Sequence, residues 1–215
     1  WLRNEGQGWN HKRVHRVYCQ MRLNLPRRTK KRLPRRPRQP LAVPAAVNVV
    51  WSIDFMSDAL YDGRRFRTLN VLDEGVREAL AIEIDTSLPS KRVVRVLTRL
   101  VEMRGIPQAI RMDNGPELVA EALVNWCESK GIEPRYIQPG KPDQNAYIER
   151  FNRTYREEVL NAYIFEDLGQ VRQITGEWIR DYNEQRPHEA LGSLPPAAFR
   201  AIIQANTTST SELST

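Results

Sequence analysis

The feature that most constrains the fold is an aspartate set inside an apolar strand. Val47, Val49, Val50, Trp51, Ile53 and Phe55 form a β-branched and aromatic run typical of a buried strand, and Asp54 lies within it. Burying an unpaired carboxylate costs several kcal/mol. The chain that folds around this strand must therefore bring compensating groups to Asp54.

The rest of the sequence supplies a sheet for that strand to join. Arg67–Leu72 and Leu80–Ile84 read as two further strands, with Asp62-Gly63 as a turn between the first pair. After Pro89, Val93, Leu97, Leu100 and Val101 share one helical face up to Arg104, with Ser87 or Ser90 as N-cap and Gly105 as the stop. Ala109–Met112 is a short strand ended by Asp113-Asn114-Gly115-Pro116. Residues 117–130 return to helical periodicity, and Arg135–Ile137 is a last short strand. Pro139-Gly140-Lys141-Pro142 is a loop, and Gln144–Leu160 and Leu168–Tyr182 are helices. This order predicts an α/β domain whose mixed sheet, an antiparallel three-strand meander plus parallel strands, is flanked by helices. It is compatible with the ribonuclease-H-like fold.

Charge divides the chain unevenly. Of 33 Lys and Arg, 13 fall in residues 1–39 against the single acid Glu5, so the net +7 of the whole chain hides a net −5 over residues 40–215. A basic arm ahead of a mildly acidic domain reads as a phosphate-binding tether beside a concentration of carboxylates. Within the arm, Val14, Val17, Tyr18, Met21 and Leu23 have near-helical spacing. Pro26, Pro34, Pro37, Pro40 and Pro44 then exclude persistent helix or central strand. His11, His15 and Cys19 share one stripe of that helix, but no second cysteine lies nearby to complete a zinc finger, and a phosphate-facing helix is the expected reading. No apolar run reaches the ~18–20 residues of a membrane span and no signal-peptide pattern opens the chain. Cys19 and Cys127 cannot form a disulfide framework, so a cytoplasmic protein is expected.

The chemistry is expected where acids meet. Asp113 ends a short strand, where α/β sheets usually place ligand groups, and Glu149 lies on a helix just beyond a glycine and two prolines. If the two strands are neighbours and the helix crosses their ends, three carboxylates converge. Like charges so close need metal ions to remain ionised together. Two Mg²⁺ or Mn²⁺ ions held by Asp54, Asp113 and Glu149 would suit in-line phosphoryl displacement.

Asp54 in WSIDF, Asp113 in DNGPE and Glu149 in PGKPDQNAYIERFNRTYREEVLN, with 35 residues between the last two acids, resemble the DDE transposases and retroviral integrases. The likeness is greatest to bacterial insertion-sequence transposases of the third insertion-sequence family, whose catalytic domain is retroviral-integrase-like. Arg156 matches the basic residue that family carries seven positions after its glutamate, and YNEQRPHEALGSLPPAAF resembles its C-terminal end. The resemblance implies a polynucleotidyl transferase that cuts DNA at transposon ends and transfers the 3′-hydroxyl into DNA. It further implies double-stranded DNA as partner, a homo-oligomer on paired ends and fusion to an upstream helix-turn-helix protein.

The expected organisation is the end of a basic helical DNA-binding module over residues 1–25, a Pro/Arg-rich linker over 26–44, the integrase-like core over 45–204 and a disordered tail over 205–215. DNA contacts are expected from Arg153 and Arg156 on the face of Glu149, from Lys141, Gln144 and Asn145, and from Arg27, Arg28, Lys30, Lys31, Arg32, Arg35 and Arg36 of the linker. Asn114 and Gly115 shape the turn that aims Asp113. Trp51, Tyr147 and Phe151 read as core, and Asp58, Asp62, Asp73, Glu74 and Asp85 as solvated acids at strand ends and turns. Two other readings, a DNA-binding protein with a silent core and a nuclease without strand transfer, account less well for three retained acids and for Arg156 with the C-terminal segment.

Overall fold

A computed structural model describes Gly6 and residues 8–23, 45–138 and 142–212. The chain divides into two units, Trp1–Pro40 and Leu41–Thr215. In the first, helix α1 spans His11–Gln20, its N-terminus capped by the Asn10 side chain accepting from the amide of Lys12 at 2.9 Å. No residue of α1 is buried. The linker arginines and lysines between 27 and 36 lie outside the described residues.

The second unit is built on a five-stranded sheet: β1 Val50–Ala59, β2 Arg65–Asp73, β3 Glu78–Asp85, β4 Ala109–Met112 and β5 Glu133–Tyr136, in the order β3-β2-β1-β4-β5. β1, β2 and β3 form the expected antiparallel meander, and β4 and β5 add to β1 in parallel. The strand holding Asp54 is thus the centre of the sheet. Its side chains alternate: Trp51 and Ile53 face the cluster built with Leu97 and Leu100 of α2 (Ser90–Arg104) and Leu123 of α3 (Glu121–Lys130). Ser52, Asp54, Met56 and Asp58 face the opposite side, across which α4 (Ala146–Tyr155) and α5 (Leu168–Glu184) pack.

Several elements depart from the sequence reading at their ends. α2 has Pro89 at its N-cap position with no side-chain cap, so neither Ser87 nor Ser90 serves; proline's fixed φ sets the helical entry instead. α3 starts only at Glu121, because the residues after Pro116 form a turn in which Leu118 and Val119 donate to the Gly115 carbonyl. The last strand starts at Glu133, since pairing with β4 from Ala109 sets its register. The long helix is α4 followed by a π-helical turn over Arg156–Leu160. Residues 205–212, expected to be disordered, continue α6, which runs Pro196–Glu212, since serine and threonine only mildly disfavour a helix already propagating. Among the described residues no helix is long and apolar enough to cross a membrane.

Candidate active site

Parallel pairing places the first two acids side by side. Val50 aligns with Ala109 and Ser52 with Arg111, so the same register carried on two residues brings Asp54 level with Asp113 on the same face. The turn after β4 then fixes Asp113. Its Oδ1 accepts from the Gly115 amide at 2.9 Å, and a Cβ at Gly115 would stand 3.0 Å from that oxygen, so a glycine permits the close approach. Asn114 donates from Nδ2 to the Ile137 carbonyl at 2.9 Å, tying the turn to the chain leaving β5. Arg67 of β2 pairs with Glu117 and holds the far side of the same turn.

Helix α4 crosses above Asp54. Asn152, largely buried, donates from Nδ2 to Asp54 Oδ2 at 2.7 Å, and Asn70 of β2 donates to Asn152 Oδ1 at 2.6 Å. Asp54 Oδ1 accepts from the Phe55 amide at 2.8 Å. Glu149 lies in the first turn of α4, one helical turn before Asn152, and is exposed. The Asp54 carboxyl is pushed from 3.8 up to about 6, first by burial, with the charges of Asp113 and Glu149 adding to the rise and the Phe55 amide opposing it. All three acids therefore share one electrostatic environment. Among the described residues, no three His, Cys, Asp or Glu side chains stand close enough together to hold a metal ion as they are.

The predicted DNA contacts are distributed differently. Arg153 is exposed on the face of Glu149. Arg156 instead reaches back to β1, pairing with Asp58 Oδ2 at 2.5 Å and donating to the Ser57 carbonyl at 2.8 Å, so Asp58 is an ion-pair partner and not a freely solvated acid. Gln144 accepts at its backbone carbonyl from Arg111 and at Oε1 from the Gln138 amide. Asn145 is interior, at 4% exposure, and cannot offer its side chain to a duplex. Lys141 lies outside the described residues.

The acids expected to be solvated also divide. Asp62 pairs with Arg64 at the surface and Asp85 with Arg92 at 3.3 Å. Asp73 and Glu74 are buried, at 1% and 0% exposure. Asp73 is drawn in because it caps the turn after β2, accepting from the Asn48 and Gly75 amides at 2.8 and 2.9 Å. Trp51 and Phe151 are core as expected, and Tyr147, half-buried, packs against the cluster of Phe151 and Tyr182, with the Arg77 guanidinium 3.5 Å from its ring centroid. Asn152 and Asn70 are site residues beyond those the sequence points to. The available signal was Asn152 three residues after Glu149, on the same helical face.

The integrase core domain matches this chain in two family models, over residues 44–142 and 130–196. The insertion element IS407 uncharacterized 31.7 kDa protein of Burkholderia multivorans is 44% identical over 200 residues, covering 93% of this chain and 72% of that protein. The insertion element IS476 uncharacterized 39.2 kDa protein of Xanthomonas euvesicatoria is 42% identical over 200 residues, covering 93% of this chain and 58% of that protein. Transposase InsD of Escherichia coli, for insertion element IS2, is 27% identical over 197 residues, covering 88% of this chain and 65% of that protein. The chain thus spans 58% to 72% of the length of these relatives. Among solved structures, the HTLV-2 integrase catalytic core domain in complex with magnesium, in a trimeric form, superposes with a TM-score of 0.60 at 15% identity, covering 74% of this chain and 99% of that chain. That likeness carries the ribonuclease-H-like fold. The family matches and the 44% identical relative together establish that the chain belongs to the insertion-element transposases with an integrase core, enzymes of the polynucleotidyl-transferase type that act in DNA transposition.

Proposed function

We propose that Asp54, Asp113 and Glu149 are the catalytic acids of this chain, that they hold two divalent cations, Mg²⁺ or Mn²⁺, and that the reaction is hydrolysis of a phosphodiester at an insertion-element end followed by transfer of the freed 3′-hydroxyl into another phosphodiester. The observation that carries this reading is the register that sets Asp54 level with Asp113 beneath the helix that opens with Glu149, and the rise of the Asp54 carboxyl to about 6, first by burial and then by the other two acids, accords with it. The donor set fits such ions: it is all oxygen, as hard divalent cations require, and added positive charge would let all three groups ionise together. Glu149 is exposed and on a side chain with three rotatable bonds, so it can swing toward Asp54 and Asp113. Each carboxylate oxygen of Asp54 has one protein hydrogen bond and retains a further lone pair. When bound, the cations supply Lewis acidity that activates the attacking oxygen and stabilises the leaving one.

The protein's own part is orientation. Asn152 and Asn70 set the plane of the Asp54 carboxylate, and the Gly115 amide sets that of Asp113. Arg153, exposed one turn beyond Glu149, would meet the phosphates of the strand being cut. Double-stranded DNA is the proposed partner, with the 13 cationic residues of the N-terminal arm supplying sequence-independent affinity. A homo-oligomer acting on paired ends and fusion to an upstream helix-turn-helix protein complete the proposal.

The test is a cleavage and joining assay on end-labelled duplex DNA with Mn²⁺ or Mg²⁺, comparing the chain with Glu149→Gln. Metal-dependent nicks and joined products that vanish in the variant are expected. Equal products from both proteins would remove Glu149 from the catalytic set.

A further inference from the structure

Among the buried acids that the chemistry above leaves unused, Glu74 is the one nearest the strand of Asp113. Glu74 follows the end of β2 and is fully buried, anchored to the centre strand by its amide, which donates to the Val50 carbonyl at 2.9 Å. Among the described residues no hydrogen bond of good geometry reaches either carboxylate oxygen, the hydroxyl of Ser52 on β1 being the neighbouring polar group. Its nearest cation is Arg111, whose Nε lies 3.4 Å from Oε1 and whose side chain is only 11% exposed. Arg111 stands on β4 two residues before Asp113, and its Nη1 donates to the Gln144 carbonyl at 2.6 Å. Gln144 closes its own segment, Oε1 accepting from the Gln138 amide at 2.9 Å, and it stands two residues before the first residue of α4.

A second arm runs from the same turn. Arg77, held at a positive φ of 58°, donates from Nη1 to the Glu74 carbonyl and lays its guanidinium 3.5 Å over the Tyr147 ring in the first turn of α4. The turn after β2 thus reaches the start of α4 at two points.

Asn145 and Ile148 bury one side of that start, but the space beside Gln144 is open. A cavity of about 240 Å³, lined by Arg111, Arg135, Tyr136, Ile137 and Gln144, lies against it. A guanidinium can face a carboxylate through Nε while donating to a carbonyl through Nη1, which a lysine cannot reproduce. Without Glu74, Arg111 would be a buried cation beside open space, free to turn into the cavity and release Gln144.

We propose that Glu74 is a positioning residue that holds Arg111 against the Gln144 carbonyl and so fixes the turn from which α4 presents Glu149 to Asp54 and Asp113. The proposal rests on the catalytic role given to Glu149 for its consequence, though not for its structural part.

The experiment compares the full chain with Glu74→Gln and with the double variant Glu74→Gln/Arg111→Gln, in which no charge is left alone. Hydrogen exchange is followed by mass spectrometry over residues 142–150 and over β1 to β3, and nicking of duplex DNA is measured against Mn²⁺ concentration. In Glu74→Gln, exchange over residues 142–150 is expected to quicken about tenfold with β1 to β3 unchanged. The Mn²⁺ concentration for half-maximal nicking is expected to rise about tenfold, with a smaller loss at saturating metal. The double variant should match the single one, because both remove the same restraint. Unchanged exchange over residues 142–150 in the variants that fold, or loosening spread evenly over the sheet, overturns the proposal. If Glu74→Gln does not fold, the double variant is judged by the same criterion. Failure of the catalytic reading appears separately, as nicking by Glu149→Gln or its absence from the parent chain, and leaves the exchange result to decide the role of Glu74.

Discussion

Asn152 Nδ2 lies 2.7 Å from Asp54 Oδ2, and this hydrogen bond joins helix α4 to the central strand of the sheet. Asn70 completes the chain from the neighbouring strand at 2.6 Å. Asn152→Ala leaves the Asn70 amide with only the weak acceptor Met56 Sδ at 3.2 Å and leaves Asp54 Oδ2 without its protein donor. Loss of about 1–3 kcal/mol in urea denaturation is expected. Because Asp54 also loses its orientation, nicking at saturating DNA should slow about 10- to 100-fold. A variant with parent activity would show that the Asn152 contact does not orient a catalytic group.

The metal-free protein should carry a stability penalty that grows with pH. Asp54 titrates at about 6 in the folded chain against 3.8 ordinarily, and Glu74 at about 7 against 4.5, in both cases first because of burial. Between the lower and upper values the folded state binds more protons than the unfolded one, so these groups make stability fall as pH rises from about 4 to 7. His188, lowered by burial to about 4 from 6.5, acts in the opposite sense over that range, so a difference between variants is the cleaner measure. Asp54→Asn should raise the melting temperature relative to the parent at pH 7.5 and leave it nearly unchanged at pH 4. A gain at pH 4 as large as that at pH 7.5 would sink this assignment.

Arg156 and Arg153 should separate in their dependence on salt. Arg156 is engaged with Asp58 and the Ser57 carbonyl, whereas Arg153 is exposed beside Glu149. Arg153→Ala is expected to lower the slope of log affinity for duplex DNA against log salt by about 1, and Arg156→Ala to leave it unchanged. A double-mutant cycle between Asp58 and Arg156 should return a coupling of about 0.5–1 kcal/mol, since both side chains are only partly exposed. A reduced slope in Arg156→Ala would return that residue to the DNA surface.

Removing residues 1–40 follows the boundary between the two units and takes away 13 cationic side chains with one acid. Affinity for duplex DNA at low salt should drop and its salt dependence should flatten. Equal slopes for the truncated and full chains would mean that the arm does not touch phosphate.

Local patterning was enough to read the succession of strands and helices, because period-2 and period-3.6 apolar patterns are local properties that no distant contact needs to confirm. It also singled out Asp54, Asp113 and Glu149: an acid within an apolar strand, an acid ending another and an acid opening a helix are each anomalous in their own neighbourhood. Which polar groups meet depends instead on how the elements pack. Asn152 finds Asp54 across 98 positions of sequence, Arg156 finds Asp58 across another 98, and Arg111 finds the Gln144 carbonyl across 33. Asp73 and Glu74 looked like turn acids open to water, yet both are buried once the turn after β2 folds under the chain that precedes β1 and the start of α4. Hydrogen bonds and ion pairs depend on distances of a few ångströms between residues far apart in the chain. Those distances are set by the packing of the sheet against its helices, and no local pattern encodes them.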